Sequence, residues 1–249
     1  MIQKLKTKIY EMIPKDLKPI LRCWNYNLFK NNKFKLRYKD GYYEVHYLNE
    51  VFKYNKCPYE IFKVVIEGYM RDYKPEKVDT VLDAGSYYGV FSIFISKFVN
   101  KVYAFEPDPD SVKLLKENIK INNITNIIII EKGLWDKKDI LNFNQDGGRS
   151  EIIELGISKV DVIKLDDEYE NYNMDRLDFV KMDIEGAEIQ TVVGMKDVIN
   201  KFKPEFAIAS YHIVNNQMTY IFLEEYFRKL YYNSVYTDYP KHLTTYLRK

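Results

Sequence analysis

The 249-residue chain reads as an α/β protein built on an open, mostly parallel sheet with helices on both faces. Three observations predict this. Val81-Leu82-Asp83-Ala84-Gly85-Ser86-Tyr87-Tyr88-Gly89 joins a short apolar run to a helical pattern (Val90, Phe91, Ile93, Phe94, Phe98) through a glycine turn, the opening unit of such a sheet. Beyond it, short apolar runs alternate with helical patterns as far as Glu205-Phe206-Ala207-Ile208-Ala209-Ser210. One of those runs, Ile127-Ile128-Ile129-Ile130, is unbroken, which suits a strand covered on both faces.

The glycine turn carries the first chemical information. Gly85 lacks a Cβ, so it can take φ > 0 and let a ligand approach the backbone. Gly89 lies where helix and strand must pack closely, and the helix start offers unpaired N–H groups. A dinucleotide site reads G-x-G-x-x-G, but Tyr87 stands where the second glycine belongs. The acid before Gly85 suits a ligand with a positive charge and an amino group, such as S-adenosyl-L-methionine. The next strand, Val102-Tyr103-Ala104-Phe105, ends in Glu106. That is about twenty residues on, where a ribose-binding acid is expected.

These residues carry a resemblance. Asp83 to Gly89, Phe105-Glu106-Pro107, Leu115 with Asn118 and Asn122, and Phe179-Val180-Lys181-Met182-Asp183-Ile184-Glu185-Gly186-Ala187-Glu188 together resemble the FkbM family of S-adenosylmethionine-dependent methyltransferases. The Lys-Met-Asp-Ile-Glu-Gly-Ala-Glu segment is the specific part. Where the family usually has Ala-Asn after the first glycine, this chain has Ser86-Tyr87. The resemblance implies a Rossmann-like class I methyltransferase with a seven-stranded sheet, over residues 78–249, preceded by a helical and hairpin extension over residues 1–77. It implies a donor site formed by Asp83, Gly85, Ser86, Tyr88, Gly89, Glu106, Pro107, Leu134, Asp136 and Asp183. Asp83 would meet the methionine amino group, Glu106 both ribose hydroxyls, and Asp183 the methionine side. Asp136 would take the adenine amino group, with Leu134 or Trp135 over the ring. A sugar or polyketide hydroxyl, often on a surface glycan, is the implied acceptor.

Taken in order, residues 1–30 read as helical, broken at Pro14. Ile2, Leu5, Ile9 and Met12 with Lys4, Lys6 and Lys8 between them form a basic amphipathic stripe. Residues 1–12 could touch a membrane surface peripherally, or dock on the catalytic domain or a partner. Phe34 to Tyr47 reads as a hairpin around Asp40-Gly41, and residues 58–73 as a helix. After Glu106, Asp108 is an N-cap with Pro109 at the first helical position, and Asn122-Asn123 closes that helix. Residues 137–158 read as an inserted hairpin turning at Asp146-Gly147-Gly148, and Val160 to Asp166 as a further edge strand. Phe179 to Asp183 is the next central strand, and Val192, Val193, Met195 and Val198 place a helix on the sheet. A helix over 216–230 and, by resemblance, an antiparallel pair near 231–237 and 243–248 complete it.

Asp83, Glu106, Asp136 and Asp183 each end a strand, and open α/β sheets bind ligands beyond those ends. Glu185 and Glu188 follow Asp183 where carboxylates also favour a helix start. Tyr211-His212 follow the fifth strand, so His212, Glu185 and Asp183, in that order, are candidates for removing the acceptor proton. His46 and His242 are given no role.

Composition bounds the alternatives. Apolar residues make up 46% of the chain, enough for a sizeable core, and charged residues 30%, nearly cancelling to +2. No strong field points to nucleic acid, and the acids after Asp183 would repel phosphate. The 23 tyrosines read as compositional bias or as carbohydrate-stacking surface. Cys23 and Cys57 match no metal spacing and make no disulfide framework, which suits a reduced, cytoplasmic compartment. No apolar run approaches the ~20 residues that span a bilayer. No metal is assigned, although a metal-dependent O-methyltransferase with Asp183 as ligand is an open alternative. So are a nucleic-acid methyltransferase, a NAD-dependent oxidoreductase and a non-catalytic nucleotide-binding module. Oligomeric state is not legible.

Overall fold

The computed structural model describes residues 17–20, 23, 34–144, 151–152, 158–230, 232, 234–238 and 244–248. The basic stripe over residues 1–12, the turn at Asp146-Gly147-Gly148 and His242 lie outside them. Two compact units divide the chain at Phe62 and Lys63.

In the first unit β1 (Lys35–Lys39), β2 (Tyr42–Tyr47) and β3 (Glu50–Tyr54) form an antiparallel sheet in that order. The β1–β2 turn is the expected Asp40-Gly41, both at positive φ (51° and 85°), a geometry that matches strand twist. Alternation then buries Leu36, Val45, Phe52 and Tyr54 on one face. Phe34, Tyr59 and Phe62 pack as an aromatic cluster, with Phe34 and Phe62 edge to face at 4.9 Å. Helix α1 (Tyr59–Val64) runs on into a π-turn over Val65–Tyr69.

The second unit follows with β4 (Thr80–Ala84), α2 (Val90–Ser96), β5 (Lys101–Phe105), α3 (Pro109–Ile121), β6 (Ile127–Ile130), β7 (Gly133–Trp135), β8 (Asp139–Asn144), β9 (Glu151–Ile152) and β10 (Ser158–Lys164). Next come α4 (Leu165–Glu168), β11 (Phe179–Met182), α5 (Glu188–Gly194), α6 (Lys196–Phe202), β12 (Glu205–Ala209), β13 (Ile213–Val214), β14 (Gln217–Met218), α7 (Thr219–Lys229), β15 (Ser234–Thr237) and β16 (Thr244–Arg248). Asp108 caps α3 by accepting from the Asp110 amide, with Pro109 at the first position.

The main sheet has seven strands in the order β15-β16-β12-β11-β4-β5-β6. The five from β12 to β6 are parallel, and β15 and β16 run antiparallel at one edge. The chain leaves β4 outward through β5 and β6, then returns to the other side of β4 as β11 and β12. The order therefore reverses between β4 and β11, and the crevice for a ligand opens at their carboxyl ends. On one face of the sheet the core is built from residues in register across the strands, Leu82, Tyr103, Val180, Met182 and Phe206, with Phe227 of α7. Among the described residues no helix is long and apolar enough to cross a membrane.

Three local readings change. Ile127–Ile130 is the outer strand of the sheet, not a strand covered on both faces, and Ile128 is 39% exposed. An apolar run reports hydrophobicity, not how many neighbours the sheet supplies. Val160 to Lys164 is no edge of the main sheet; β10 is an inner strand of a separate four-stranded sheet, β7-β10-β8-β9. The last long helix begins at Thr219, because residues 213–218 first close the small β13–β14 hairpin.

Candidate active site

The crevice is built from three strand ends. At the end of β4 the amides of Gly85 and Ser86 both donate to the Phe105 carbonyl, each at 3.0 Å, which ties the glycine turn to β5. Gly85 sits at φ 74°, and a Cβ there would lie 2.0 Å from the Asp183 carbonyl oxygen. The glycine is thus demanded by the neighbouring strand end rather than by a ligand. Gly89, at φ 88°, caps α2, and a Cβ there would meet the Leu115 side chain of α3 at 2.3 Å. Tyr87 holds φ 50°, a strained value for a bulky residue. Tyr88 is buried, its ring edge-on to Tyr87 at 4.6 Å, and its carbonyl accepts from the Asn118 amide side chain at 2.8 Å. Asn118 is one of the family-like residues, and its work is to brace this turn.

Glu106 ends β5 and is almost fully buried. Its Oε2 accepts from the Tyr87 amide at 2.7 Å and its Oε1 from the Asp108 amide at 2.9 Å. Each oxygen keeps a free lone-pair direction, since a carboxylate has about four acceptor sites. Burial pushes this carboxyl up to about 7, against the pull of those two amides. Beside it, the Ser86 hydroxyl is buried with no hydrogen-bond partner among the described residues. A buried orphan hydroxyl next to an under-used carboxylate is what a polar ligand would satisfy.

Asp83 does not face the crevice. Its side chain is fully buried, with Oδ1 2.9 Å from Lys181 Nζ and Oδ2 accepting from the Ser92 hydroxyl at 2.5 Å. Burial raises its carboxyl, while Lys181 and Ser92 oppose the rise. The expected contact with a donor amino group is therefore closed to it, and its part is structural. Lys181 sits opposite Asp83 in the β11–β4 register and also donates to the Gly85 carbonyl at 2.7 Å. A lysine inside an otherwise apolar central strand needs such a partner, and Phe179-Val180-Lys181-Met182 carries that signal in the sequence.

Beyond β11 and β12 lies a second polar group. Asp183 accepts from the Tyr69 hydroxyl at Oδ2 (2.8 Å) and from the Tyr211 hydroxyl at Oδ1 (3.3 Å). Burial and the Asp183 charge raise both phenols, so both stay protonated donors. His212 stands between two carboxylates, Nδ1 2.9 Å from Glu188 and Nε2 3.4 Å from Glu185. These are ionic contacts; neither ring nitrogen is aligned for a hydrogen bond. Burial alone would lower the imidazole, but Glu185 and Glu188 outweigh it and hold it at about 10. At neutral pH His212 is a cation, so the first-ranked base is already protonated. Glu188, beyond its place at the start of α5, accepts from the amides of Ile184 (3.2 Å) and Gly186 (3.3 Å) and so shapes the turn. Glu185 holds φ 53°, a second strained residue at a strand end.

The adenine-side expectations fare differently. Leu134 is buried in the main core, and Trp135 packs with Val160 and Val162. Core packing accounts for both. Asp136 is exposed just past β7, and Pro107 is half-buried after Glu106. Tyr211 is placed by the sequence at the end of the fifth strand beside His212, whereas Tyr69 reads as one apolar position of the helix over residues 58–73.

A reversed strand order, a braced glycine turn and a buried acid ending the next strand define the class I methyltransferase fold. The chain belongs to the FkbM methyltransferase family, whose Methyltransferase FkbM domain matches residues 83–249. The fold is similar to the crystal structure of the FkbM methyltransferase of Methylobacillus flagellatus, with a TM-score of 0.57 at 20% identity over 74% of this chain and 48% of that one. In sequence, the chain is 28% identical to the hexuronic acid methyltransferase AglP of Haloferax volcanii, over 55% of this chain and 57% of that protein. It is 41% identical to an uncharacterized protein of Methanocaldococcus jannaschii over 28% of this chain and 26% of that one. The matches thus span 57% of one curated relative and 26% of the other.

Proposed function

We propose that this chain is an S-adenosylmethionine-dependent O-methyltransferase acting on a hydroxyl of a sugar or glycan, with the donor domain over residues 78–249. The carrying observation is the pair at the end of β4 and β5: a buried Glu106 carboxylate with acceptor capacity to spare, and the orphaned Ser86 hydroxyl beside it. S-adenosylmethionine supplies a methyl group on a sulfonium, an activated leaving group for direct displacement. Glu106 would accept from the ribose hydroxyls, and Ser86 and the glycine-turn backbone would meet the polar atoms of the amino-acid portion. Asp183, fixed by Tyr69 and Tyr211, closes the methionine side of the crevice. Pro107 and Asp136 stand toward the adenine side.

The acceptor hydroxyl must be held in line and lose its proton. His212 is protonated between its carboxylates, which leaves Glu185 and Asp183 as the side chains able to receive that proton. A sugar acceptor draws support from AglP, a hexuronic acid methyltransferase by name, and from the exposed Tyr211 ring at the rim, a surface on which a pyranose can stack. The test is titration of the full chain with S-adenosylmethionine and NAD. Labelled donor is then supplied with neutral sugars, uronic acids, lipids and RNA. Donor binding with label transfer to a sugar is expected; binding of NAD alone, or transfer only to RNA, would overturn the reading.

A further inference from the structure

The cluster beyond β11 and β12 contains more than the transfer of a proton requires. One ligand atom each from Asp183, Glu185 and His212 lie within 4.8 Å of one another. Cation bonds of about 2.0–2.3 Å would join all three after small side-chain rotations. A fully buried fourth group stands behind them. Glu188 turns Oε1 to His212 Nδ1 at 2.9 Å, while its Oε2 has no hydrogen-bond partner among the described residues. A small turn of the ring would let Nδ1–H donate to this carboxylate, the outer-shell arrangement that aims the other imidazole nitrogen at a metal. The other nitrogen, Nε2, is the one that faces Glu185. The Tyr69 and Tyr211 hydroxyls fix Asp183 by donating to its two oxygens.

We propose that Asp183, Glu185 and His212 form a binding site for a divalent cation of the manganese or magnesium kind, with Glu188 orienting His212. Two carboxylates and one imidazole favour a cation that accepts oxygen and nitrogen donors, and no thiol is present to select a softer metal. Open coordination positions would take water or an acceptor oxygen, whose proton a cation makes easier to lose. The site rests on the methyltransferase reading for its purpose but not for its existence. The sequence offers Asp183 as a metal ligand but not its partners, because the ligands come from two strand ends and no histidine pair recurs within one helix.

The experiment uses the full chain and Mn2+ followed by its own paramagnetic resonance signal, which falls when the hydrated ion is bound. Saturable binding of about one ion per chain is expected. Glu185→Gln and His212→Asn should each weaken it at least tenfold, and Glu188→Gln, acting through His212, about 10–100-fold. Affinity for S-adenosylhomocysteine and the melting temperature, read on the same samples, report whether each variant has kept its fold. Absence of saturable Mn2+, Mg2+ or Zn2+ binding to the native chain overturns the proposal whatever the variants do. Equal affinity in folded Glu185→Gln and His212→Asn overturns it as well. Donor analogue binding without cation binding sinks this site and spares the methyltransferase reading; cation binding without the analogue does the reverse.

Discussion

Lys181 Nζ lies 2.9 Å from Asp83 Oδ1 across the β11–β4 pair, and both groups are buried beneath the glycine turn. The same ammonium donates to the Gly85 carbonyl, so one side chain holds an acid and a turn together. A buried ion pair adds little net stability, but removing one partner leaves the other charge uncompensated. Lys181→Met is therefore expected to destabilise the fold by about 3–5 kcal/mol. Adding Asp83→Asn should recover part of that loss. Urea unfolding of the single and double variants checks it, and a double variant weaker than the single would contradict the pairing.

Gly85→Ala places a Cβ against the Asp183 carbonyl and forces an L-residue to φ 74°. The Asp183 carbonyl is backbone and cannot swing aside as a side-chain tip would, and Ile184 Cγ2 also stands 3.0 Å from that position. A loss of at least about 2 kcal/mol is expected, since the left-handed backbone alone costs roughly 1–2 kcal/mol. Gly41, also at positive φ but with open space around its Cβ position, gives the control. Gly41→Ala should cost the backbone part only.

Glu106 makes donor binding depend on pH. Its carboxyl stands at about 7 in the folded chain, and ribose hydroxyls bind the ionised form. Affinity for S-adenosylhomocysteine should rise as pH climbs through 7 and level off above it. Below 7 it should fall by up to about tenfold per unit. Calorimetry from acid to mildly alkaline pH, with Glu106→Gln as the flat control, tests this. The same raised value means that this group's contribution to folding stability is full below its unfolded value and is lost as pH rises through about 7.

Tyr69 and Tyr211 should differ although both donate to Asp183. The Tyr69 hydroxyl is buried at 2.8 Å, whereas Tyr211 is 41% exposed at 3.3 Å. Tyr69→Phe is expected to cost about 1.5–3 kcal/mol, the worth of a hydrogen bond to a charged group. Tyr211→Phe should cost far less, because water replaces the lost donor. Thermal melts of the two variants decide, and equal losses would refute the difference in burial.

The sheet, the capped helix α3 and the glycine turn were legible because each is written in neighbouring residues. Asp108-Pro109 marks a helix start by local hydrogen bonding and a preset φ. The acids at strand ends were legible by position alone, yet their orientations were not. Asp83 and Glu106 look equivalent in the sequence, but one turns toward Lys181 on the neighbouring strand and the other toward the turn backbone. Likewise His212 has an ordinary imidazole in the sequence; two glutamates supplied by another strand end make it a cation.

By itself, then, the sequence determined the class of fold and which strand ends carry acids. Periodicity, caps and turns act over a few residues, and a parallel sheet forces its ligand crevice to the carboxyl ends. The tertiary structure alone decided which acids are spoken for, which residue holds a proton and which strand lies at an edge. Those outcomes depend on burial and on partners far away in the chain, and charges respond to distance in space rather than to spacing along a backbone.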